Sequence, residues 1–181
     1  MRLNFAAAAA VALMLAPTLA SAQGRKPRTE PAEICAAPAP PPAAFAGWSQ
    51  PADLAAARRP ADLPKAQIVP GKAVNALLAP VEGIEYRAPP QKADGPKVYG
   101  GLYLLKIAQA GTYRMQSGAS PPWMDLLQDK TVVKSTSYGH GPACTGLGKY
   151  VDFPLQPGDY LVQFSESLKP QTEIMVVLLP Q

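Results

Sequence analysis

Gly111-Thr112-Tyr113 and, further along the chain, Gly158-Asp159-Tyr160 repeat one pattern: a glycine, one intervening residue and a tyrosine at the start of an alternating segment. Glycine supplies the turn backbone, and the tyrosine ring anchors the new strand in the core. Antiparallel sandwiches make their corners in this way. The two stretches therefore predict an all-β fold.

Segments in which apolar side chains alternate with period two surround both corners. Such alternation, bounded by glycine and proline, is typical of strands with one buried face. The sequence predicts strands at residues 72–78, 84–87, 98–108, 112–117, 123–128, 131–137, 151–155 and 160–164. A further strand is predicted at 174–179, which is apolar on both faces as a central or closing strand is. With about eight main strands, we expect an antiparallel β-sandwich or jelly roll.

Three regions follow one another along the sequence. Residues 1–22 have a charged start, a short apolar stretch and small residues before a cleavage point, which predicts a signal peptide. Residues 23–70 are interpreted as a linker rich in proline and alanine, in which residues 53–58 have the composition of a short helix. A tryptophan is seldom left free, so Trp48 is expected to dock. Residues 71–181 are predicted to form the sandwich.

The expected location is the periplasm or the exterior of the cell, without a membrane span, because the apolar run is shorter than the roughly 20 residues that cross a bilayer. In an oxidising compartment, the only two cysteines, Cys35 and Cys144, are expected to pair as a disulfide. Two free thiols are the alternative.

The charge distribution argues against nucleic acid as a partner. The formal net charge is +4, but residues 98–181 contain six Lys or Arg and six Asp or Glu. The excess lies at Arg25, Lys26, Arg28, Arg58 and Arg59, which are scattered among prolines and not interleaved with aromatic residues. A nucleic-acid surface requires a concentrated basic patch.

Strand and turn motifs within residues 102–107, 110–114, 123–130 and 157–163 resemble those of the bacterial pre-peptidase C-terminal domain, a jelly-roll module of secreted proteins. The resemblance covers roughly residues 71–179. It implies a non-catalytic module that accompanies exported enzymes and in some members contacts polysaccharide, protein or calcium. The segments 139–144 and 149–153 are also similar to small exported proteins of sphingomonad-type bacteria, some of which carry a homogentisate 1,2-dioxygenase label.

The residues do not support that oxygenase activity. A mononuclear oxygenase iron needs two histidines and a carboxylate, and this sequence has a single histidine, His140. Calcium takes six to eight oxygen ligands, and the scattered carboxylates Asp125, Asp129, Asp152 and Glu166 form no Asp-x-Asp-x-Asp-Gly run. We therefore predict no cofactor, no metal site and no catalytic residue.

Aromatic residues provide the best binding hypothesis, because their rings stack on sugars or anchor protein partners. The candidates are Trp48, Trp123, Tyr99, Tyr103, Tyr138 and Tyr150. Tyr138 and Tyr150 flank the loop that contains His140, so these three form the predicted binding site. The sequence favours a non-catalytic binding or accessory protein whose partner is an envelope protein or polysaccharide. The alternative is a small enzyme centred on His140.

Overall fold

The computed structural model describes residues 35–92 and 98–180. Within these ranges the chain forms twelve strands and two short 3-10 helices, Ala43–Ser49 and Pro60–Lys65. The strands are β1 Ala52–Ala55, β2 Gln67–Ile68, β3 Ala73–Leu77, β4 Ala79–Pro80, β5 Tyr99–Ile107, β6 Gly111–Ser117, β7 Trp123–Gln128, β8 Thr131–Val132, β9 Ser137–His140, β10 Lys149–Leu155, β11 Gly158–Ser167 and β12 Gln171–Leu178. The predicted signal peptide lies outside the described residues.

The strands form two sheets, which confirms the predicted all-β sandwich. The first sheet has the order β1-β3-β12-β6-β10-β9, and the second has the order β2-β5-β11-β7-β8 with β4 also paired to β5. Pairing is antiparallel except for β1 with β3 and β2 with β5, which are parallel. The core between the sheets contains the alternating residues that the sequence marked, among them Tyr103, Leu105 and Ile107 on β5.

Both predicted corners have the same hydrogen bond. The Tyr113 hydroxyl donates to the carbonyl of Gln109 at 3.0 Å, and the Tyr160 hydroxyl donates to the carbonyl of Gln156 at 3.0 Å. Each tyrosine thus ties the strand it begins to the chain four residues upstream, as in the tyrosine corner of sandwich proteins. Both rings are buried.

The segment 53–58 is not a helix, contrary to the expectation from its composition. Residues Ala52–Ala55 form β1, which pairs in parallel with β3, and the Asn75 side chain donates to Asp53 at 2.8 Å. Prolines 51 and 60 leave room for only about two helical turns, and so short a helix forms too few hydrogen bonds to offset its unfavourable nucleation. A neighbouring strand satisfies the same backbone groups better.

The segment 84–87 is also not a strand. The Tyr86 hydroxyl donates to the carbonyl of Phe164, and the backbone N–H groups of Arg87 and Ala88 donate to Oε1 of Gln163. These N–H groups donate to a side chain of β11 and not to the backbone of a neighbouring strand. The segment therefore packs on the second sheet without becoming one of its strands. The predicted strand at 131–137 is likewise divided between β8 and β9.

Ordered structure extends upstream of Gly71. Phe45 and Trp48 on the first 3-10 helix are buried against Ala73, Leu147, Met175 and Val177, which confirms that Trp48 docks. A disulfide joins Cys35 to Cys144, with 5.5 Å between the Cα atoms. The proline-rich front of the chain is therefore fastened to the sandwich both by apolar burial and by a covalent bond.

No helix among the described residues has the length and apolar character needed to cross a membrane.

Candidate functional site

A cleft of about 620 Å³ lies between the two sheets. Strands β6, β9, β10 and β12 supply one wall, and β7 and β11 supply the other. Its floor consists of side chains that are at most 3% exposed: Met115, Leu126, Phe153, Phe164 and Ile174. Its rim includes the exposed residues Lys134, Ser135 and Tyr138. The cleft therefore connects the apolar core to solvent.

Trp123 and Lys149 face each other at one end of the cleft, although they belong to different sheets. The Lys149 ammonium lies 5.6 Å from the centre of the Trp123 ring, within the range of a cation–π contact. Lys92 lies 5.9 Å from the same ring and forms an ion pair with Glu166 at 3.7 Å. Two lysine ammonium groups thus lie within 6 Å of the centre of the indole ring.

Buried Asp125 fixes the orientation of that indole. Its carboxylate accepts a 2.8 Å hydrogen bond from Nε1 of Trp123 and a 3.0 Å hydrogen bond from the backbone N–H of Gln91. Because both carboxylate oxygens take part, Asp125 ties the segment preceding residue 92 to β7. The ring of Trp123 is therefore held in a fixed orientation at the cleft.

Two polar side chains of β6 beside the cleft are bound to the protein itself: that of Ser117 on the cleft side, and that of Gln116, which pairs with Tyr150, on the opposite face of the sheet. The Gln116 amide donates to the carbonyls of Ser117, Gly148 and Lys149 at 3.0–3.2 Å. The Ser117 hydroxyl donates to the carbonyl of Lys149 at 2.8 Å. These bonds hold β6 against the start of β10 and leave the apolar side chains to define the interior of the cleft.

The three residues predicted from sequence as the binding site do not share one surface. Tyr138 pairs with Val151 across the two strands, lines the cleft and is 76% exposed. His140 pairs with Lys149, lies on the same side of β9 as Tyr138 and is exposed. Tyr150 pairs with Gly139, and successive side chains of a strand point to opposite faces. Tyr150 therefore lies on the outer face of the sheet.

On that outer face Tyr150 belongs to a packed ladder of side chains. The Arg114 guanidinium lies 3.6 Å from the centre of the Tyr150 ring and donates two 2.8 Å hydrogen bonds to Asp152. Hydrogen bonding to the Asp152 carboxylate raises the pKa of Arg114 above its ordinary value. On the other strand, a Cβ at Gly139 would lie 2.8 Å from the Tyr150 hydroxyl, so the glycine makes room for the ring.

The carboxylates that the sequence offered as oxygen ligands occupy separate contacts. Asp152 pairs with Arg114, Asp125 holds Trp123, and Glu166 pairs with Lys92. Asp129 lies in the turn between β7 and β8 with a φ of 56°. In the described part of the chain, no three His, Cys, Asp or Glu side chains come together as metal ligands would.

Sequence reasoning identified Trp123 and Tyr138 as candidate aromatic residues but missed Lys149 and Lys134. The sequence around a lysine on a strand does not show whether the lysine belongs to a binding site, since most such lysines simply point into solvent. Which lysine faces a cleft depends on how the two sheets pack, and the sequence pattern does not give that.

No protein-family model and no curated protein sequence matches this chain.

Proposed function

We propose that this protein is an exported, non-catalytic binding protein, and that its ligand occupies the cleft between the sheets. The observation that carries the proposal is the cleft itself. Small-molecule sites are concave, measure roughly 300–1,000 Å³ and are mostly apolar with a few polar groups. A cleft of about 620 Å³ with an apolar floor and with Trp123, Tyr138 and Lys149 at its rim fits that description.

Two features support binding rather than catalysis. The carboxylates of Asp125 and Glu166, which lie around Trp123, are bound by Trp123, by the backbone N–H of Gln91 and by Lys92, so they serve the fold. His140 lies on β9 with its side chain exposed and outside the set of residues that line the cleft. Reactive groups that converge on a substrate position are what an active site requires.

For the location of the protein and the class of its partner, we keep the expectations drawn from the sequence. The predicted signal peptide and the Cys35–Cys144 disulfide both favour an exported protein, since disulfides persist in oxidising compartments. We propose the periplasm or the cell exterior as the place of action and a component of the envelope as the source of the ligand. The likeness to pre-peptidase C-terminal domains agrees with a non-catalytic module.

A blocking substitution tests the proposal. Ser135 is an exposed rim residue, so Ser135→Trp is expected to obstruct the cleft without disturbing the core. Ser137→Trp is the matched control, because Ser137 pairs with Asp152 and so belongs to the outer face. The chain is expressed with its predicted signal peptide, and the purified parent and variants are compared by native mass spectrometry.

We expect a co-purifying small molecule on the parent and on Ser137→Trp, and its loss from Ser135→Trp. The same mass spectrum for all three proteins, without a bound molecule, would contradict the proposal unless the purified parent binds an added small molecule that Ser135→Trp does not bind. A His140→Ala variant tests the enzymatic alternative: binding is expected to be retained, whereas accumulation of an unconverted form of the bound molecule would favour an enzyme.

A further inference from the structure

We infer that the cleft takes a free amphipathic carboxylate: an apolar chain that lies between the sheets and one anionic group beside Lys149. The inference rests on the proposed function and specifies the chemistry of its ligand. It is argued from three properties of the site: the absence of charge in its floor, the sign of the charge at its rim, and the distribution of apolar side chains on the rest of the surface.

The floor favours hydrocarbon over sugar or peptide. Phe153 and Phe164 come from opposite walls, and Met115, Leu126 and Ile174 complete a surface made of carbon and sulfur. A hydroxyl or amide taken from water into such surroundings loses hydrogen bonds that nothing there replaces. The Ser117 hydroxyl, which lies on the cleft side of β6, already donates to the carbonyl of Lys149. A polysaccharide chain would therefore meet a penalty at the floor, whereas a methylene chain gains from burial.

The rim favours an anion. Among the described residues that line the cleft, the charged ones are Lys134 and Lys149. A second hollow of about 430 Å³ shares Trp123 and Lys149 with the cleft, and its charged lining consists of Lys92, Lys149, Lys169 and Glu166. Lysines thus outnumber acidic residues around the Trp123 end of the cleft. A half-buried ammonium beside an apolar wall attracts an anion more strongly than one in open water.

The surface elsewhere favours a free molecule over a membrane. Membrane adhesion through a protein surface needs a contiguous apolar face. The large exposed apolar residues in the described part of the chain are Val69, Val98, Tyr138 and Leu168. Val98 and Leu168 flank the paired residues Tyr99 and Ser167 and so lie near each other, but two such side chains are too few for an apolar face. The apolar area that can receive a chain is inside the cleft, so a single molecule is expected to enter it and not a bilayer.

Isothermal titration calorimetry with octanoate, decanoate and dodecanoate, each below its micelle concentration, tests the inference on the parent protein. Each buried methylene is expected to lower Kd about fourfold. Lys149→Gln is expected to raise the Kd of dodecanoate about fivefold and to leave the Kd of the uncharged alcohol of the same length unchanged. Lys130→Gln, in the exposed turn after β7, is the matched control and should bind as the parent does.

Several outcomes would overturn the inference. They are a Kd that is independent of chain length, equal binding of alcohol and carboxylate, and sedimentation with phosphatidylglycerol vesicles without binding of monomeric dodecanoate. If native mass spectrometry finds a neutral or sugar-like molecule that Ser135→Trp excludes, the inference fails and the proposed function stands. If no molecule is found and no carboxylate binds, both fail.

Discussion

The guanidinium of Arg114 lies 3.6 Å from the centre of the Tyr150 ring while it donates two hydrogen bonds to the carboxylate of Asp152. Arg114 is on β6, and its two partners are on the neighbouring strand β10. One planar cation thus satisfies a mostly buried carboxylate and covers an aromatic face. These contacts stabilise the pairing of β6 with β10, and both strands form a wall of the cleft.

The Arg114→Lys substitution is expected to lower the free energy of unfolding by about 1–2 kcal/mol. Lysine cannot donate two parallel hydrogen bonds and stack on the ring at the same time. Urea denaturation measures the change. The matched control is Lys106→Gln, because Lys106 pairs with Asp159 at 3.7 Å and both side chains are more than half exposed. Its expected cost is at most about 0.5 kcal/mol, and equal losses in the two variants would contradict the assignment.

Two buried serines are expected to respond in opposite ways to replacement by alanine. Among the described residues, the Ser165 hydroxyl is buried without a hydrogen-bond partner, so Ser165→Ala should leave the free energy of unfolding unchanged within about 0.5 kcal/mol, or raise it. The Ser117 hydroxyl donates to the carbonyl of Lys149 at 2.8 Å, so Ser117→Ala should cost about 1 kcal/mol. Urea denaturation of both variants measures the two changes. A larger loss of unfolding free energy in Ser165→Ala than in Ser117→Ala would contradict the prediction.

Removal of the disulfide is expected to destabilise the fold strongly. The bridge joins residues that are 109 positions apart, and closing so long a loop in the unfolded chain corresponds to roughly 4–5 kcal/mol. The double substitution of Cys35 and Cys144 by serine, followed by chemical denaturation, measures the loss. The parent treated with a reducing agent should show the same midpoint. A double variant as stable as the oxidised parent would contradict the prediction.

Stability is expected to fall at alkaline pH because of Tyr86. Burial raises the pKa of Tyr86 to about 12, while in the unfolded chain it ionises near its ordinary value of about 10. Between these values the unfolded state has lost a proton that the folded state keeps. The stabilisation is therefore complete below pH 10 and is lost as the pH rises towards 12.

The Tyr86→Phe variant should show a shallower decline over that range when unfolding is measured between pH 8 and 11.5. Some decline will remain, because burial also raises the pKa of Tyr103. Tyr138→Phe serves as the control, since Tyr138 is mostly exposed, and its curve should follow that of the parent. If the free energy of unfolding of Tyr86→Phe fell more steeply with pH than that of the parent, the prediction would be wrong.

The sequence predicted well those features that depend on a few neighbouring residues. Each tyrosine corner closes within five residues, from Gln109 to Tyr113 and from Gln156 to Tyr160, so its pattern is readable without the rest of the chain. Period-two alternation likewise identified β5, β6, β10 and β11, because burial of one face dictates it. The disulfide followed from there being only two cysteines and an expected oxidising compartment.

Long-range pairing decided the remainder. Residues 53–58 have helical composition, yet the first three of them belong to strand β1, because β3 is available beside them. Residues 84–87 alternate as a strand does, yet Gln163 takes the backbone groups of the segment. In both places the local conformational preference was weaker than the hydrogen bonds made to residues that are distant in the sequence.

The sequence by itself therefore determined the class of fold, its corners and the pairing of its cysteines, because these depend on local chemistry or simple counting. Only the tertiary structure decided the site. Tyr138 and Tyr150 look equivalent in the sequence, but the register of β9 against β10 sends one ring to the cleft and the other to the outer face. Lys149 meets Trp123 only because two separate sheets pack together, and no local pattern encodes the distance between sheets.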